Sequence, residues 1–368
     1  MRWTHVMVGA VLAWLLVVPA HAMSVAFINP GKSSEAYWAT SAAAMGAAAQ
    51  SLDVRFENHY AERAHPRAVG IARQLAARSP AQRPDYVIFS NDYGTGPEVL
   101  RILDAAGIKT FMAFSGVQSA QDRAQTGHPR ERFKGWLGSL EPQAEDAGYL
   151  TARDLIAAGR RVGARAADGK LHLLAIGGDR STPSSVERNA GMRRAVVEAG
   201  DVVIDQEVYA AWRLDKAAEQ AAWLYGRYPD TRLVWSGSDQ MAFGAMQAWT
   251  ARGGVPGRTA WFSGINTSGE ALEAIQDGRL AALAGGHFIA GAWAIVMLYD
   301  YHRGRDFAAD EGLELRQPMF VAFTAATARA FAQRYGDGRF DRVDFQRYAK
   351  TRNRDLKRYD FRFTQLLE

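Results

Sequence analysis

The chain has 368 residues, 48% of them hydrophobic and 23% charged, with no cysteine and a formal net charge of +5. Without cysteine there can be no disulfide, no thiolate metal site and no lipid-anchored lipoprotein. The basic residues are scattered, which argues against a nucleic-acid surface, and the one basic run, "KTRNRDLKR" at 350–358, reads as the solvated face of a helix.

The N-terminus carries a short basic region, Arg2 and His5, then the apolar segment Val6 to Val18 and the small-x-small triplet Ala20-His21-Ala22. That order marks a signal peptide over 1–22, since a membrane span needs roughly 20 apolar residues. The expectation is export to a Gram-negative periplasm, leaving about 346 residues (368 − 22) and a net charge of +4 once Arg2 is removed. That length exceeds one compact core and suits two lobes.

"SVAFIN" (24–29) has strand character and precedes an alanine-rich helical stretch at 35–52. The pattern repeats with "DVRFEN" (53–58) before a helix at 66–78, "DYVIFS" (85–90) before a helix at 97–106, and "IKTFMAF" (108–114). Four strands separated by three helices predict a parallel sheet with right-handed crossovers. After "FKGWLGSLEP" (133–142) a second series begins, with helices at 143–158, 184–199, 215–227 and 239–252 and strands at 171–178, 202–209, 232–237 and 259–265. The expected fold class is α/β, two doubly wound parallel-sheet lobes with functional loops beyond the carboxyl ends of the strands.

The stretch "LAALAGGHFIAGAWAIVMLY" (280–299) is long enough and apolar enough to raise the question of a membrane span. Gly285-Gly286 interrupts it, and an unpartnered histidine in hydrocarbon is costly. A strand at 280–284, a crossing between lobes at 285–287 and a buried helix at 288–299 account for it instead.

Enzyme signatures are weak. Gly94-x-Gly96 follows a strand, but Val99 stands where a dinucleotide loop needs its third glycine, and a turn with Pro97 in the first helical turn explains the pattern. No G-x-S-x-G elbow, Walker loop or H-E-x-x-H occurs. His59, His65, His128, His172, His287 and His302 do not pair at metal-ligand spacing, so no metal and no cofactor are expected. Asp92, Asp179 and Asp239 fall at strand ends, which keeps a cleft hydrolase or isomerase as a minority alternative to a protein without catalysis.

Four stretches carry a resemblance: "INPGKSSEAYWATSAAAMGAAA" (28–49), "SVERNAGMRRAV" (185–196), "VWSGSDQMAFGAMQA" (234–248) and "GINTSGEALEAIQDGRLAALAGGHF" (264–288). Together they resemble the type I periplasmic binding proteins of the ribose/galactose-binding class. "GGHF", "YDYHRGRDF" (299–307) and the long C-terminal extension look more like the autoinducer-2 receptor (LuxP-like) branch. The resemblance implies that Tyr37 and Trp38 pack on a sugar face, with Trp212 opposing them. It places Asn266 where the family has a ligand-binding Asp, Ser238 and Asp239 at its Asn-Asp pair, and Arg188 near a ligand-binding arginine. His287 matches a ligand-contacting Gln, and protonation near its ordinary pKa, roughly 6.5, is expected to make affinity pH-dependent. Asp92 joins the set at its strand end. Phe114 and Ser115 stand where many sugar binders carry an Asp-Arg pair, which removes a bidentate fork.

The expectation is a monomeric periplasmic receptor that closes on a small polar ligand, a sugar or sugar-like furanosyl signal, with no nucleic acid as partner. Lobe one takes 24–138 and 288–316, and lobe two takes 139–287 with 317–368, the placement of the C-terminal tail being left open. The crossings are expected near Gly138 to Pro142, Gly285 to His287 and Arg316 to Phe320. Its membrane partner is an ABC permease or, alternatively, a sensor kinase or cyclase. A DNA-binding repressor of the same fold is disfavoured because no helix-turn-helix precedes the first strand.

Overall fold

The computed structural model describes residues 22–367 apart from Asp337, so the signal peptide expected over 1–22 lies, Ala22 excepted, outside the described residues. Strands β1 (Ser24–Asn29), β2 (Arg55–Tyr60), β3 (Tyr86–Phe89), β4 (Lys109–Ala113) and β5 (Trp136–Pro142) form a parallel sheet with β11 (Glu314–Gln317), in the order β11-β5-β4-β3-β1-β2. A second sheet contains β6 (Leu171–Gly177), β7 (Val202–Tyr209), β8 (Leu233–Ser236), β9 (Trp261–Ile265), β10 (Leu280–Gly285) and β12 (Val321–Ala322), in the order β12-β10-β9-β8-β6-β7. Only β12 in this sheet runs antiparallel to its neighbour.

Each sheet is covered on both faces, which is why its strands read as apolar runs rather than as alternating patterns. Val25 and Phe27 of β1 cluster with Met45 of α1 (Ala36–Ser51) and with α10 (Ala290–His302). Ala26 and Ile28 point the other way, onto Ile71 and Leu75 of α2 (His65–Ala77) and Leu100 and Leu103 of α3 (Gly96–Ala105). In the second sheet, Leu173 and Ala175 cluster with α5 (Ala144–Arg161) and α6 (Pro183–Ala199). Leu174 and Ile176 belong with α7 (Leu214–Arg227) and α8 (Asp239–Ala251). A short α4 (Ala120–Thr126), absent from the sequence reading, follows β4.

The chain passes between the sheets after β5, between β10 and α10, and between β11 and β12. β5 stays in the first sheet through Pro142, because Ser139 to Pro142 pair with β11. At the second passage Gly286 has φ +113°, and a Cβ there would lie 2.5 Å from the Phe363 ring, so only glycine fits. α10 is buried from Ala290 to Asp300. Among the described residues no helix is long and apolar enough to cross a membrane.

The C-terminal region, whose placement the sequence leaves open, divides between the lobes. α11 (Ala325–Tyr335) packs on α9 (Gly269–Asp277) of the second lobe, while the turns beyond it pack on α1 and α10 of the first. Trp293 of α10 supplies the anchor, stacking on Phe361 at 5.0 Å. The basic run at 350–358 is a series of turns, not a helix. Asp300 reorganises it by accepting the Lys350 and Thr351 backbone N–H at 2.7 and 2.9 Å and the Tyr359 hydroxyl at 2.8 Å. Lys350 is consequently buried and pairs with Glu311 at 2.5 Å.

Candidate functional site

The carboxyl ends of both sheets face one another across a cavity lined from both lobes. In doubly wound folds this is where ligands are held, because strand ends and helix starts converge there. Tyr37 and Trp38 reach it from the first turn of α1, Asp92 from beyond β3, and Phe114 and Ser115 from beyond β4. On the opposite side stand Arg188 of α6, Trp212 after β7, Ser238 and Asp239 at the start of α8, Asn266 after β9 and His287 after β10. All eleven residues singled out from sequence line this one cavity.

The aromatic walls are unequal. Trp38 is only 5% exposed and packs edge-on against Phe114 at 5.1 Å. It is as much a core residue as a wall. Trp212 is half-buried, and its ring covers Gly178, where a Cβ would come within 2.3 Å. The Arg188 guanidinium lies 5.4 Å from the Trp212 ring centre and that of Arg63 6.0 Å, so this indole meets two cations. Trp38→Ala is therefore expected to cost about 3–5 kcal/mol of stability, as a cavity in a packed core does. Trp212→Ala should leave melting nearly unchanged and weaken ligand binding by about 1–3 kcal/mol. Thermal melts and binding titrations of the two variants separate these effects; equal melting losses in both would contradict the distinction.

Backbone strain collects at the same place. Phe114, Trp212 and Asn266 have φ of +72°, +61° and +117°, values that side chains rarely adopt and that cluster at functional sites. Asn266 turns its amide to donate to Asp239 Oδ1 at 2.9 Å. The N-cap of α8 is Ser238, whose hydroxyl accepts from the Met241 N–H, while Asp239 Oδ1 accepts the Gln240 backbone N–H at 2.8 Å. Burial pushes the Asp239 carboxyl up, against hydrogen bonds from Ser268 and Asn266 that hold it down.

Arg188 and His287 form a buried polar pair. Arg188 Nη1 donates to the Gly237 carbonyl at 2.7 Å, and Nη2 donates to His287 Nε2 at 2.8 Å. Neither partner is a carboxylate, and burial pulls the Arg188 pKa down to about 10. Close packing of α5 on α6 places this arginine; a Cβ on Gly148 would lie 1.8 Å from the Arg188 carbonyl. His287 is clamped between Tyr37, at 4.7 Å, and Phe320, at 4.3 Å. Burial and the Arg188 charge hold its pKa well below the ordinary histidine value. That direction moves any protonation-linked change in affinity below the pH of about 6.5 expected for an unperturbed histidine.

Opposite them, burial pushes the Asp92 carboxyl up, with Ser115, Arg63 and Arg188 acting against it. Asp92 Oδ1, Arg188 Nε and His287 Nδ1 are all buried and have no hydrogen-bond partner among the described residues. Such groups are rare in folded proteins and point to a partner in the cavity.

Eight other lining residues escaped the sequence reading, and three of them bear on the polar groups of the site. Arg63, with φ +57°, is held by Glu35 through bonds of 2.7 and 2.8 Å and donates to the Tyr93 hydroxyl at 3.0 Å. Glu35 and Phe320 complete the group. Neither "YAER" nor "QPMF" has a signal that distinguishes it from an ordinary surface turn or a hinge strand.

Residues 25–306 match the family described as periplasmic binding protein domain. The chain belongs to that family. It is 37% identical to a periplasmic sugar-binding protein from Pseudomonas fluorescens, with a TM-score of 0.84 over 94% of this chain and 100% of that one. Two more distant solved structures share the fold. One is a galactofuranose binding protein at 16% identity and TM-score 0.70, covering 86% of this chain and 100% of that one. The other is the binding protein of the arabinose ABC transporter from Shewanella sp. ANA-3, bound to L-arabinofuranose, at 18% identity and TM-score 0.69, covering 85% and 95%. No curated protein matches the chain in sequence. Periplasmic binding proteins are a solute-binding family, not an enzyme family, and the two-lobed α/β architecture expected from sequence is theirs. None of these relatives singles out the autoinducer-2 receptor branch.

Proposed function

We propose that this periplasmic binding protein closes its two lobes on one neutral sugar and delivers it to an ABC importer, without catalysis. One observation carries the reading. The cavity combines a buried, unpartnered acceptor at Asp92 with buried, unpartnered donors at Arg188 and His287, beside the Trp212 ring. A sugar has hydroxyls that donate and accept around its rim, and apolar faces that suit an aromatic wall. Of the cavity's charged residues, Glu35 pairs with Arg63. Asp92, Asp239 and Arg188 remain, and burial raises both carboxyl pKa values and lowers that of the guanidinium, so each is disfavoured as an ion, which suits a ligand without net charge. Opposed lobes joined by three crossings supply a hinge for closure around it. The furanose-binding relatives support a five-membered ring as one form of the ligand.

The test is a thermal-shift panel of L-arabinose, D-galactose, D-allose and myo-inositol, with D-galacturonate and an amino-acid mixture as contrasts. At least one neutral compound should raise the melting temperature strongly, since ligand at 100 times its Kd adds roughly 2.7 kcal/mol. A response to galacturonate or amino acids alone would overturn the reading. Import is checked in cells: loss of the gene should abolish high-affinity uptake of the stabilising compound. Intact uptake with a lost transcriptional response would assign a signalling role instead.

A further inference from the structure

His287 gives one ring nitrogen to Arg188, and its other ring nitrogen, Nδ1, has no hydrogen-bond partner among the described residues. A guanidinium donates and never accepts, so the 2.8 Å contact from Arg188 Nη2 makes His287 Nε2 the acceptor. The ring proton of the neutral imidazole then sits on Nδ1. Both ring faces are occupied, by Tyr37 and Phe320, with interplanar angles of 23° and 26°. Nδ1 is buried without a partner, and so is Arg188 Nε; both side chains line the cavity. Arg188 cannot swing away, because the Gly237 carbonyl and the rings of Trp212 and Phe320 fix its guanidinium.

We infer that Arg188 is a positioning residue that locks His287 in the Nδ1–H tautomer, so that His287 Nδ1–H and Arg188 Nε–H form a donor-only pole selecting a ligand oxygen that accepts. The inference rests on the sugar-receptor reading for what the ligand is, and adds how that ligand is oriented. A ring oxygen, or a hydroxyl whose proton turns elsewhere, fits this pole. A group that only donates, such as the ammonium of an amino sugar, meets two donors and a positive charge. Without Arg188, Nε2 is released and the commoner Nε2–H tautomer becomes accessible. Phe320 serves the same end, because it stacks on His287 and lies 5.7 Å from the guanidinium carbon of Arg188.

The test begins with nitrogen NMR of protein labelled at histidine, the His287 signals being assigned by their loss in His287→Phe. Wild type should show a protonated Nδ1 and an unprotonated Nε2 from pH 5.5 to 8, and Arg188→Met should shift His287 toward Nε2–H. A wild-type Nε2–H tautomer, or an imidazolium in that range, overturns the inference even if Arg188→Met fails to fold. Calorimetry with L-arabinose, D-galactose and D-allose supplies the second readout. For whichever of these wild type binds, His287→Phe keeps the stacked ring but lacks the donor and should lose at least about tenfold in affinity. His287→Gln, whose amide both donates and accepts, should recover part of it. Unchanged affinity in His287→Phe sinks the inference and leaves the sugar reading standing. The Nδ1–H tautomer found in a protein that binds none of the three sugars would uphold the donor and count against the sugar reading.

Discussion

Arg188→Met is expected to weaken sugar binding at least about a hundredfold while changing the melting temperature of the unliganded protein little. The affinity loss combines two effects: the Nε–H bond to ligand disappears, and His287 is no longer held as a donor. Hydrogen bonds to charged groups contribute about 1.5–3 kcal/mol each, and about 1.4 kcal/mol is a factor of ten. Stability changes little because two opposing effects nearly cancel. Arg188 is a buried cation without a carboxylate partner, and burial already pulls its pKa down to about 10. Methionine of similar length relieves that desolvation, as replacement of buried charges by apolar side chains often does. Against this, the Gly237 carbonyl and His287 Nε2 lose their donor, which costs about 1–3 kcal/mol each. A large drop in melting temperature with unchanged affinity would make Arg188 a structural residue and nothing more.

Asp92→Asn should reduce affinity about 10- to 100-fold at neutral pH and, at the same pH, raise the melting temperature of the unliganded protein. The ligand loses a charged acceptor, while the empty protein loses a carboxylate that burial disfavours. Burial raises the folded-state pKa of Asp92 above its ordinary value of 3.8, so its ionisation opposes folding. That penalty is fully present above the raised pKa and fades as pH falls toward 3.8. The melting-temperature gap between variant and wild type should therefore be widest near neutrality and close on acidification. A gap that widened at low pH would mean that the carboxylate stabilises the fold.

The alternation of strand and helix was legible because both sheets are buried on both faces, so each strand wrote an apolar run such as "SVAFIN" or "LHLLAIGG". Strand ends then located the site, which is why Asp92, Asp239 and Asn266 could be chosen before any geometry was known. What escaped was set by tertiary contact. Arg63 reaches the cavity only because Glu35, 28 positions earlier, turns it inward. Phe320 matters because the link between β11 and β12 carries it onto His287. The pKa of His287 depends on a guanidinium 99 positions away in sequence. Lys350 looked like surface charge, and only Glu311 and Asp300 draw its neighbourhood inward.

The most direct measurement is a crystal structure of the protein grown with the neutral sugar that stabilises it most. The sugar should lie in the cavity beside Trp212. Its oxygens should be within 2.7–3.2 Å of Asp92 Oδ1, Arg188 Nε and His287 Nδ1, the normal range for these hydrogen bonds. A sugar bound elsewhere, or bound in this cavity with those three atoms still unpaired, would contradict the account.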